Sequence, residues 1–502
     1  MNRRVRDIVD PASLGVALLA ALGAVGGSLL LIGNSPGFVV PSAAALVRDT
    51  LPDLFVAVGI GTLRDLAQPL LSLGAGLLLL AVFAAAALAA ERAVEGIARR
   101  ALVTFVLVGA VTALLTGNTT STLGAALGAA VVVAAANATL AAMDPTTDRA
   151  DPPPGRRRLL QAGAATLATL VLGAARTRDP AEPTEPPDPA AASLLAAAND
   201  RGLSLPGAEP MVSEDFYTVD IATVDPKIDP SDWQLAVTGE VETERSFTLS
   251  ELQDLGGERR FTTLRCVSDL LNGKKMDTAL WDGVPVESVL SAVGAPESCC
   301  VTLHAADDYF VSFPREALDP GLLAWGMNGR PLPRSHGAPL RTLVPGHWGE
   351  TNAKWLTEIE IRDEPEEGYW EQRGWEGTGE VHTIAKLHST TVDDGTVRVG
   401  GHAYAGTRGI DAVEVSTDGG ASWTEASLSE TLPEPTPIGE EEPEPTGEAA
   451  DAWRMWEHEY EADGKHEVVV RAIDGTGEAQ PEQEREGYPS GATGWVRETV
   501  GG

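Results

Sequence analysis

Long uncharged apolar runs fill the first third of this chain, and they constrain its fold more than any other feature. The run at residues 13–32, SLGVALLAALGAVGGSLLLI, has the length of a membrane-spanning helix. Similar runs follow at about 66–90, 101–117, 122–143 and 159–175, and their Ala, Gly and Leu content suits close helix packing in lipid. We therefore predict an N-terminal all-α transmembrane bundle over residues 1–176 with about five spans. The segment 36–60 is either interfacial or a sixth span.

Basic residues near the ends of these runs predict how the bundle is oriented. They lie in the N-terminal MNRRVR, in the loop ERAVEGIARR (91–100) and in the segment ending GRRR (155–158). With five spans all three segments fall on the cytoplasmic side, so we expect a multi-pass cell-membrane protein whose remaining residues are extracytoplasmic. The paired arginines before the last run fit a twin-arginine-like export signal, or equally an ordinary positive flank of a helix.

The charge of the chain lies almost entirely after this region. Residues 1–176 carry 13 basic and 10 acidic side chains, whereas 177–502 carry 24 basic and 62 acidic ones, a net charge of −38. Such a surface excludes nucleic acid as a natural partner, because phosphate binding requires clustered positive charge. We interpret the acidic surface as adaptation to high salt, with an acidic binding face as the alternative.

The residues after the apolar region read as a linker and two domains. The Pro- and Ala-rich acidic segment 177–210 is predicted to be a tether. From 211 to 376, strand patterns at 233–241 and 259–267 mix with helices at 246–255, for which Ser250 is a candidate cap, and at 284–294, closed by Gly294. This is a mixed α+β domain whose irregular loops are the natural place for a site.

The last part of the chain, 377–502, is predicted to be a β-sandwich. TVRVGGHAYA, DAVEVSTDGG and HEVVVRAIDG each read as strands that end in Gly-rich turns, and STDGG is a hairpin signal. Trp423, Trp453 and Trp456 are expected to pack between the sheets. The Pro-rich acidic insertion at 433–451 is expected to be a disordered loop.

The three cysteines are candidates for disulfide, catalytic or metal-binding roles. Cys299 and Cys300 are adjacent, so neither is expected to staple the fold. Cys266, in TLRCVS, has Arg265 beside it and Lys274 and Lys275 downstream, and positive neighbours favour the thiolate. From the residues alone Cys266 is a buried small hydrophobe, a nucleophile with a histidine base, or a metal ligand.

The order of motifs around Cys266 resembles a known family. TLRCVS is followed by ALWDGVPVESVL (279–290), YFVSFPREAL (309–318), WGMNGRPLPRSHGAPLRTLVPGHWGETNAKWLTEIEI (325–361) and YWEQRGW (369–375). This series resembles the molybdopterin-binding domain of the sulfite oxidase family, closest to its membrane-anchored prokaryotic branch. GHAYAGTRGIDAVEVSTDGGASWTEASL (401–428) and WRMWEHEYEADGKHEVVVRAIDGTGEAQ (453–480) resemble that family's immunoglobulin-like dimerisation domain.

The resemblance implies a molybdenum–molybdopterin cofactor and a set of residues around it. Cys266 corresponds to the thiolate that ligates molybdenum, a metal for which a soft sulfur ligand is apt. Trp375 stands where the family has a functional tyrosine, and it is a candidate catalytic residue together with Cys266 and Arg373. Cations, glycines and backbone amides suit the phosphate tail of a pterin. The implied cofactor-binding residues are Phe216, Tyr217, Thr218, Asp307, His336, Arg341, Gly346, Gly349, Asn352, Ala353 and Lys354.

Departures from the family concern the substrate. The chain has Leu270 and Leu271 where eukaryotic sulfite oxidases place an arginine after the metal cysteine, and Trp375 where they have a functional tyrosine. Arg373 or Arg265 are the candidates to replace the missing cation. We expect oxygen-atom transfer on a small, sulfur-containing substrate; the alternative is an inactive extracytoplasmic ligand-binding or adhesion module on the same fold.

The apolar region also bears on electron transfer. No histidine precedes His304 and no cysteine precedes Cys266, so its helices offer neither paired haem ligands nor iron–sulfur ligands. We therefore expect no haem or iron–sulfur cluster, and electron exchange with a separate carrier. The resemblance to a dimerisation domain implies a homodimer.

Overall fold

The computed structural model describes residues 11–51, 66–141, 163–164, 166–167, 186–297, 299–439 and 445–501. Its contacts divide the chain into two compact units. The first comprises 1–184 with 222–226, and the second, the body, comprises 185–221 with 227–502.

The first unit is helical. Its described helices are α1 (Pro11–Ile32), α2 (Val39–Thr50), α3 (Ala67–Ala93), α4 (Ile97–Thr116) and α5 (Thr119–Ala141). By length and composition α1, α3, α4 and α5 could each cross a membrane. Helix α2, in the segment predicted to be interfacial or a sixth span, has 12 residues, fewer than a membrane span needs. The predicted run at 159–175 lies outside the described residues except for four positions, and 52–60 lies outside them entirely.

Small residues bring α1 and α5 together. A Cβ built on Gly27 would lie 2.1 Å from the Gly124 carbonyl oxygen, and one on Gly128 would lie 2.0 Å from the Gly23 carbonyl oxygen. The Ser28 and Ser121 hydroxyls meet at 2.8 Å between the same helices. Glycines four residues apart on both helices permit this approach, as the composition of the runs predicts.

The body begins with a helix and a series of short strands. Its elements up to residue 376 are α6 (Pro189–Asp200), β1 (Leu235–Gly239), β2 (Arg245–Phe247), α7 (Leu249–Gln253), β3 (Glu258–Arg265), β4 (Met276–Pro285), α8 (Val286–Ala292), β5 (Cys300–Ala305), β6 (Phe310–Pro314), α9 (Arg315–Leu318), β7 (Leu322–Met327), β8 (Arg330–Pro331), β9 (Arg341–Leu343) and β10 (Leu356–Arg362).

Two sheets organise these elements. One has the order β2-β1-β10-β5-β6, with β1 and β10 parallel and the other pairs antiparallel. The other contains β3, β4, β7 and β8 in that order, with β9 also pairing β7. Apolar side chains of both sheets, of α8 and of the segment leading into β10 form one core, which includes Leu235, Val289 and Ile359. This is the mixed α+β arrangement that the sequence predicts.

The remaining residues form two further antiparallel sheets. The strands are β11 (Ile384–Ala385), β12 (Ser389–Asp393), β13 (Thr396–Tyr404), β14 (Ile410–Ser416), β15 (Thr424–Glu425), β16 (Ser427–Leu428), β17 (Thr436–Pro437), β18 (Arg454–Glu461), β19 (His466–Asp474) and β20 (Val496–Val500). One sheet has the order β11-β13-β18-β16 and the other β15-β14-β19-β20. Trp453 and Trp456 are buried, whereas Trp423 lies half-buried against Trp495.

The linker prediction is wrong for the second half of 177–210. Asp188 caps α6 by accepting from the backbone N–H groups of Ala190 and Ala191, and it also pairs with Arg259 of β3. Leu194 is buried, and Arg201 donates to the Thr431 carbonyl at 2.9 Å. The Ala- and Leu-rich run therefore forms a helix that packs on the body, because burial of its apolar side chains outweighs the flanking prolines.

The prediction of disorder at 433–451 is wrong at both ends of that segment. Strand β17 pairs with β3 and extends its sheet, with Thr436 opposite Arg259. Asp451 is buried and accepts a hydrogen bond from the Tyr404 hydroxyl at 2.6 Å. Residues 440–444 lie outside the described residues.

One local prediction, the helix cap, is wrong, and the prediction that Cys299 and Cys300 do not staple the fold is confirmed. Helix α7 is capped by Thr248 rather than Ser250, because Thr248 and Glu251 form a reciprocal capping box. Cys299 and Cys300 form a disulfide with each other. Since it joins neighbouring residues, it links no distant segments of the fold.

Candidate active site

Cys266 lies where β3 enters a tight loop that returns as β4. Its backbone N–H donates to the Lys275 carbonyl at 2.9 Å, and its carbonyl accepts from the Asp269 N–H at 3.1 Å. The thiol is 7% exposed, and its sulfur lies 3.2 Å from the Ser268 hydroxyl. Burial raises the pKa of Cys266, while Ser268 and Lys275 lower it less. Desolvation thus outweighs the nearby positive charges, contrary to the expectation that the sequence neighbours of Cys266 favour the thiolate.

Arg265 points away from the thiol and into the protein. Its guanidinium donates to the carbonyls of His382 at 3.0 Å and Ala492 at 2.9 Å, and lies 4.8 Å from the ring centroid of Trp348. The side chain is fully buried, and burial lowers its pKa to about 10. Arg265 thus holds the loop against the C-terminal sheets, and its fixed contacts do not fit the suggested role of binding substrate.

A buried ion pair also stabilises the loop that contains Cys266. Lys386, which follows β11, pairs with Asp269 and donates to the Gly273 carbonyl at 2.8 Å. Asp269 also accepts from the Lys275 N–H at 3.1 Å. Burial lowers the pKa of Lys386 to about 8, although Asp269 raises it. Sequence reasoning missed this pair, since the two residues are 117 positions apart and neither lies in a motif.

Aromatic side chains form a wall beside Cys266. The ring of Phe216 lies 5.5 Å from those of Tyr217, Trp281 and His336. The Tyr217 N–H donates to Asp277 at 2.9 Å, which fixes this segment on β4. Thr218, the third residue predicted from this stretch, is exposed.

Gly349 shows how close the aromatic wall comes to the cysteine. A Cβ there would lie 2.8 Å from the Tyr217 hydroxyl, 3.2 Å from the Arg265 carbonyl oxygen and 3.5 Å from the Cys266 Cα. The predicted residues Tyr217, Gly349 and Cys266 are therefore brought together, and the glycine is needed for the contact.

A second group is cationic. Arg341 donates to the carbonyls of His336 at 3.3 Å and Asn352 at 3.2 Å, and its guanidinium lies 5.1 Å from the Trp281 ring centroid. Lys354 donates to Asp220 at 2.6 Å and to the Ser335 carbonyl at 2.9 Å. Burial, with Arg341 and Lys354 nearby, lowers the pKa of His336 to about 3, so this histidine is neutral at physiological pH.

Backbone geometry places these cations side by side. Gly337 has φ +110°, and a Cβ there would lie 2.9 Å from the Lys354 Cβ and 3.1 Å from the Arg341 Cβ. Asn352 accepts from the Val344 N–H at 2.7 Å, and the Ala353 carbonyl accepts from the Thr342 N–H at 2.9 Å. Asn352 and Ala353 thus fix the strand-edge segment that presents Lys354.

Asp307 belongs to the same neighbourhood. It accepts from the Tyr309 N–H at 3.3 Å. Burial raises its pKa to about 6; Asp220 raises it further and Lys354 lowers it. The predicted match of Asp307 to a cofactor-facing position is consistent with this location.

Gly346 differs from the other predicted residues. With φ +69°, it packs on Thr407, and its carbonyl accepts from the Val381 N–H at 2.9 Å. These contacts place it at the junction with the C-terminal sheets rather than in the cation group. Its glycine is explained by this left-handed turn, so the prediction of a phosphate-cradle role for Gly346 is not supported by its contacts.

The two residues predicted as catalytic lie in a second aromatic group. Trp375 is 4% exposed, and its ring meets that of Tyr488 at 5.1 Å. Gly487, next to Tyr488, touches the Cys266 loop, since a Cβ there would lie 3.1 Å from the Val267 carbonyl oxygen. The Arg373 guanidinium lies 3.7 Å from the Tyr369 ring centroid and donates to the Tyr369 carbonyl at 2.7 Å.

Tyr309 connects this second group with the cysteine. Its ring is 5.9 Å from that of Tyr369, and its hydroxyl donates to the Glu350 carbonyl at 2.7 Å. Burial raises its pKa well above the usual range, and Glu350, Glu371, Asp307 and Cys266 raise it further. Sequence reasoning used Tyr309 only as part of a motif and missed its position between the cysteine and two acidic side chains.

The residues around Cys266 suit a molybdopterin cofactor. The buried thiol offers a soft ligand, and the aromatic wall offers flat surfaces. At the cationic end, the Nε of Arg341 is buried and has no hydrogen-bond partner among the residues described. A bound anionic group could accept this hydrogen bond. The thiol and the cations thus match the metal and phosphate ends of such a cofactor.

Comparison with known proteins gives two family matches. The model described as "oxidoreductase molybdopterin binding domain" matches residues 222–370, and the model described as "Mo-co oxidoreductase dimerisation domain" matches residues 380–488. Together these ranges cover more than half of the chain.

Curated relatives are similar over the same part of the chain. Mitochondrial sulfite oxidase of Rattus norvegicus is 28% identical over 310 residues, 51% of this chain and 55% of that protein; the Homo sapiens protein is 29% identical over 313 residues with the same coverage. Nitrate reductase [NADH] 2 of Phaseolus vulgaris is 27% identical over 325 residues, 51% of this chain and 35% of that protein. The chain spans about half the length of these two mitochondrial sulfite oxidases. The crystal structure of the sulfane dehydrogenase SoxCD from Paracoccus pantotrophus aligns with a TM-score of 0.47 at 21% identity, over 64% of this chain and 94% of that one.

Proposed function

Because the chain belongs to the sulfite oxidase family of molybdopterin oxidoreductases, we propose that it is a membrane-anchored molybdenum enzyme that transfers an oxygen atom to a small sulfur compound. The observation that carries this proposal is the buried Cys266 thiol close to an aromatic wall, together with a cation group in which the Arg341 Nε has no hydrogen-bond partner among the described residues. A module that only bound a ligand or adhered to a surface would need no thiol at this position.

Each part of the site has a role in holding the cofactor. Cys266 would ligate molybdenum, and binding would remove the thiol proton that burial otherwise retains. Phe216 and Tyr217 would contact the pterin, and Arg341 and Lys354 would hold its phosphate, with Lys354 shared with Asp220. When bound, the cofactor supplies two-electron oxygen-atom transfer; the chain's own residues orient the reactants and exclude water.

The substrate side is proposed to differ from that of the eukaryotic relatives. Leu270 is 43% exposed where an arginine would stand, and Arg265 is held by backbone carbonyls. We assign the substrate face to the region of Trp375 and Arg373, with Arg373 as the candidate anion-binding side chain. The names of the relatives favour a sulfur substrate.

The remaining features complete the proposal. Helices α1, α3, α4 and α5 would anchor the chain, and the distribution of basic residues supports an extracytoplasmic body. Electrons would pass to a separate carrier protein. The match to a Mo-co dimerisation domain supports a homodimer, and the C-terminal sheets would form an immunoglobulin-like sandwich.

Metal analysis and turnover of the full-length protein test this function together. We expect the purified protein to contain molybdenum and pterin and to reduce an artificial dye with sulfite or another sulfur compound. Cys266→Ser should abolish both metal retention and turnover, while the matched control with both Cys299→Ser and Cys300→Ser retains them. A folded protein that holds molybdenum no better than the Cys266→Ser variant would refute the enzyme and favour the binding module.

A further inference from the structure

Two buried glutamates, Glu350 and Glu371, lie close enough for each to affect the pKa of the other. Glu350 lies in the short turn Gly349–Thr351, and Glu371 lies in the turn Glu371–Arg373. All four carboxyl oxygens are buried, and none has a well-formed hydrogen bond to any residue the structure describes. Neither carboxyl makes an ion pair with a lysine or arginine in the described part of the chain.

Glycines make room for the two carboxyls. A Cβ built on Gly377 would lie 2.3 Å from a Glu350 oxygen, and one on Gly368 would lie 2.5 Å from a Glu371 oxygen. The pair is thus enclosed by backbone rather than by cations. Such an enclosure suits a neutral or singly charged pair and opposes two full negative charges.

The electrostatic surroundings agree with this geometry. Burial raises the pKa of Glu350, and Glu371 raises it further; the Gly377 N–H lowers it. Burial also raises the pKa of Glu371, and the exposed Glu367 adds to this, while the hydrogen-bonding influence of Glu350 lowers it. Two close carboxyls without a cation are held together when they share a proton.

The pair is connected to the cysteine through the backbone and Tyr309. Gly349, whose Cα faces Cys266 and Tyr217, immediately precedes Glu350 in the chain. The Tyr309 hydroxyl is bonded to the Glu350 carbonyl and lies near enough to Cys266 to be affected by its charge. The carboxyls therefore border the region in which the proposed reaction would occur.

We propose that Glu350 and Glu371 form a proton-sharing pair that accepts a proton released during oxygen-atom transfer. This inference rests on the proposed function. Overall, water supplies the oxygen atom: its two O–H bonds break, its oxygen bonds to the substrate, and the oxidised substrate gives up two electrons while two protons are released. The electrons go to the carrier protein, a one-electron redox protein that acts twice. One proton goes to the pair, which changes from singly to doubly protonated and then releases it to solvent; the other goes to solvent directly.

Infrared spectroscopy tests the shared proton without any need for turnover. The full-length protein is compared with its Glu350→Gln and Glu371→Gln variants at about pH 8, above the ordinary carboxyl range. We expect the wild-type protein to show a protonated-carboxyl band that shifts in each single variant, because the partner carboxyl is replaced by an amide, and that is lost when both substitutions are combined. The control, Glu367→Gln, removes a neighbouring exposed carboxyl and should leave the band unchanged.

Turnover of the metal-loaded protein tests the role of the proton. Each glutamine variant should retain molybdenum, and its kcat at saturating substrate should fall by about 10²-fold, as for loss of a general base. Glu367→Gln should turn over normally. If the wild-type protein shows the band but the glutamine variants keep the wild-type kcat, the catalytic role is refuted. If the wild-type protein lacks the band, the shared proton is refuted. Failure of the proposed function is distinguished by absence of molybdenum, which does not affect the infrared result.

Discussion

Lys386 provides the most direct test of how the cysteine loop is held. The side chains of Lys386 and Asp269 are 0% and 2% exposed, and the pair is 117 residues apart in the chain. Lys386→Met keeps the apolar stem but leaves the Asp269 carboxylate buried without its cation, and it removes one of the two side chains, Lys386 and His388, that hydrogen-bond to the Gly273 carbonyl. Removal of one partner of a buried pair costs about 3 to 5 kcal/mol. This is a large part of the 5 to 15 kcal/mol that typically stabilises a folded protein.

Tryptophan fluorescence can measure this loss in the full-length protein. All 11 tryptophans lie at or after position 233, so their fluorescence reports unfolding of the body without a signal from the N-terminal helices. For a body of this size we expect the midpoint of thermal unfolding to fall by roughly 6 to 20 °C. Lys465→Met, which removes an exposed lysine, should shift it little. Molybdenum content should also fall, because Asp269 holds the Cys266 carbonyl and the Lys275 N–H.

A double-mutant cycle separates the pair from the two single losses. Asp269→Asn alone should also be destabilising, because it leaves the Lys386 ammonium buried without a counter-charge. The double variant should lose less than the sum of the two single variants, since it leaves no unpaired buried charge. Additive losses, or a loss for Lys386→Met below about 1 kcal/mol, would refute the argument that this pair organises the loop.

Two further predictions follow from the geometry of the site and its junction with the C-terminal sheets. Gly349→Ala should lower molybdenum content and destabilise the body by about 1 to 3 kcal/mol, because its Cβ would lie 2.8 Å from the Tyr217 hydroxyl. The control is Gly379→Ala, whose Cβ would lie in open space. Equal metal content in the two variants would contradict the proposed close packing. The buried Asp451 has its pKa raised to about 7, so the folded state holds its proton more tightly than the unfolded state, and this group makes stability fall as pH rises from about 4 to 7. Between about pH 4 and 7, the free energy of unfolding measured with urea should fall by up to roughly 4 kcal/mol less in Asp451→Asn than in the wild-type protein. The same pH dependence in both proteins would show that Asp451 is ionised over this whole range.

Local patterns predicted those parts of the fold that local interactions decide. The strand pattern at 259–267 predicted β3, and the helix pattern at 284–294 predicted α8 and its end near Gly294, which has φ +63°. The cap of α7 was misplaced by two residues, because Thr248 and Ser250 have the same chemistry and only the partner Glu251 distinguishes them. Composition misled at 177–210, where prolines suggest a tether but burial of α6 depends on strands far along the chain.

For the site as well, the sequence predicted which residues take part but not the properties that depend on distant contacts. Motifs brought Cys266, Tyr217, Gly349, Arg341 and Lys354 into consideration, and the structure brings them into one region. Their protonation could not be predicted, because the neighbours of Cys266 in the sequence are positive while its neighbours in space exclude water. Gly346 was assigned by its position in a motif, although its left-handed backbone serves the junction with Thr407.

The distribution of charge around Cys266 narrows how a substrate can be recognised. The cations that the sequence offered are already engaged: Arg265 by two carbonyls, and Lys354 by Asp220. Arg373 lies against Tyr369, on the same turn as Glu371. An anionic substrate there would meet a carboxyl pair as well as a guanidinium, so binding requires that the pair carry at most one negative charge. The proton shared by Glu350 and Glu371 would therefore serve binding as well as turnover. We expect substrate affinity, measured by KM, to weaken as pH rises through the titration of the pair, and to lose that dependence in Glu371→Gln.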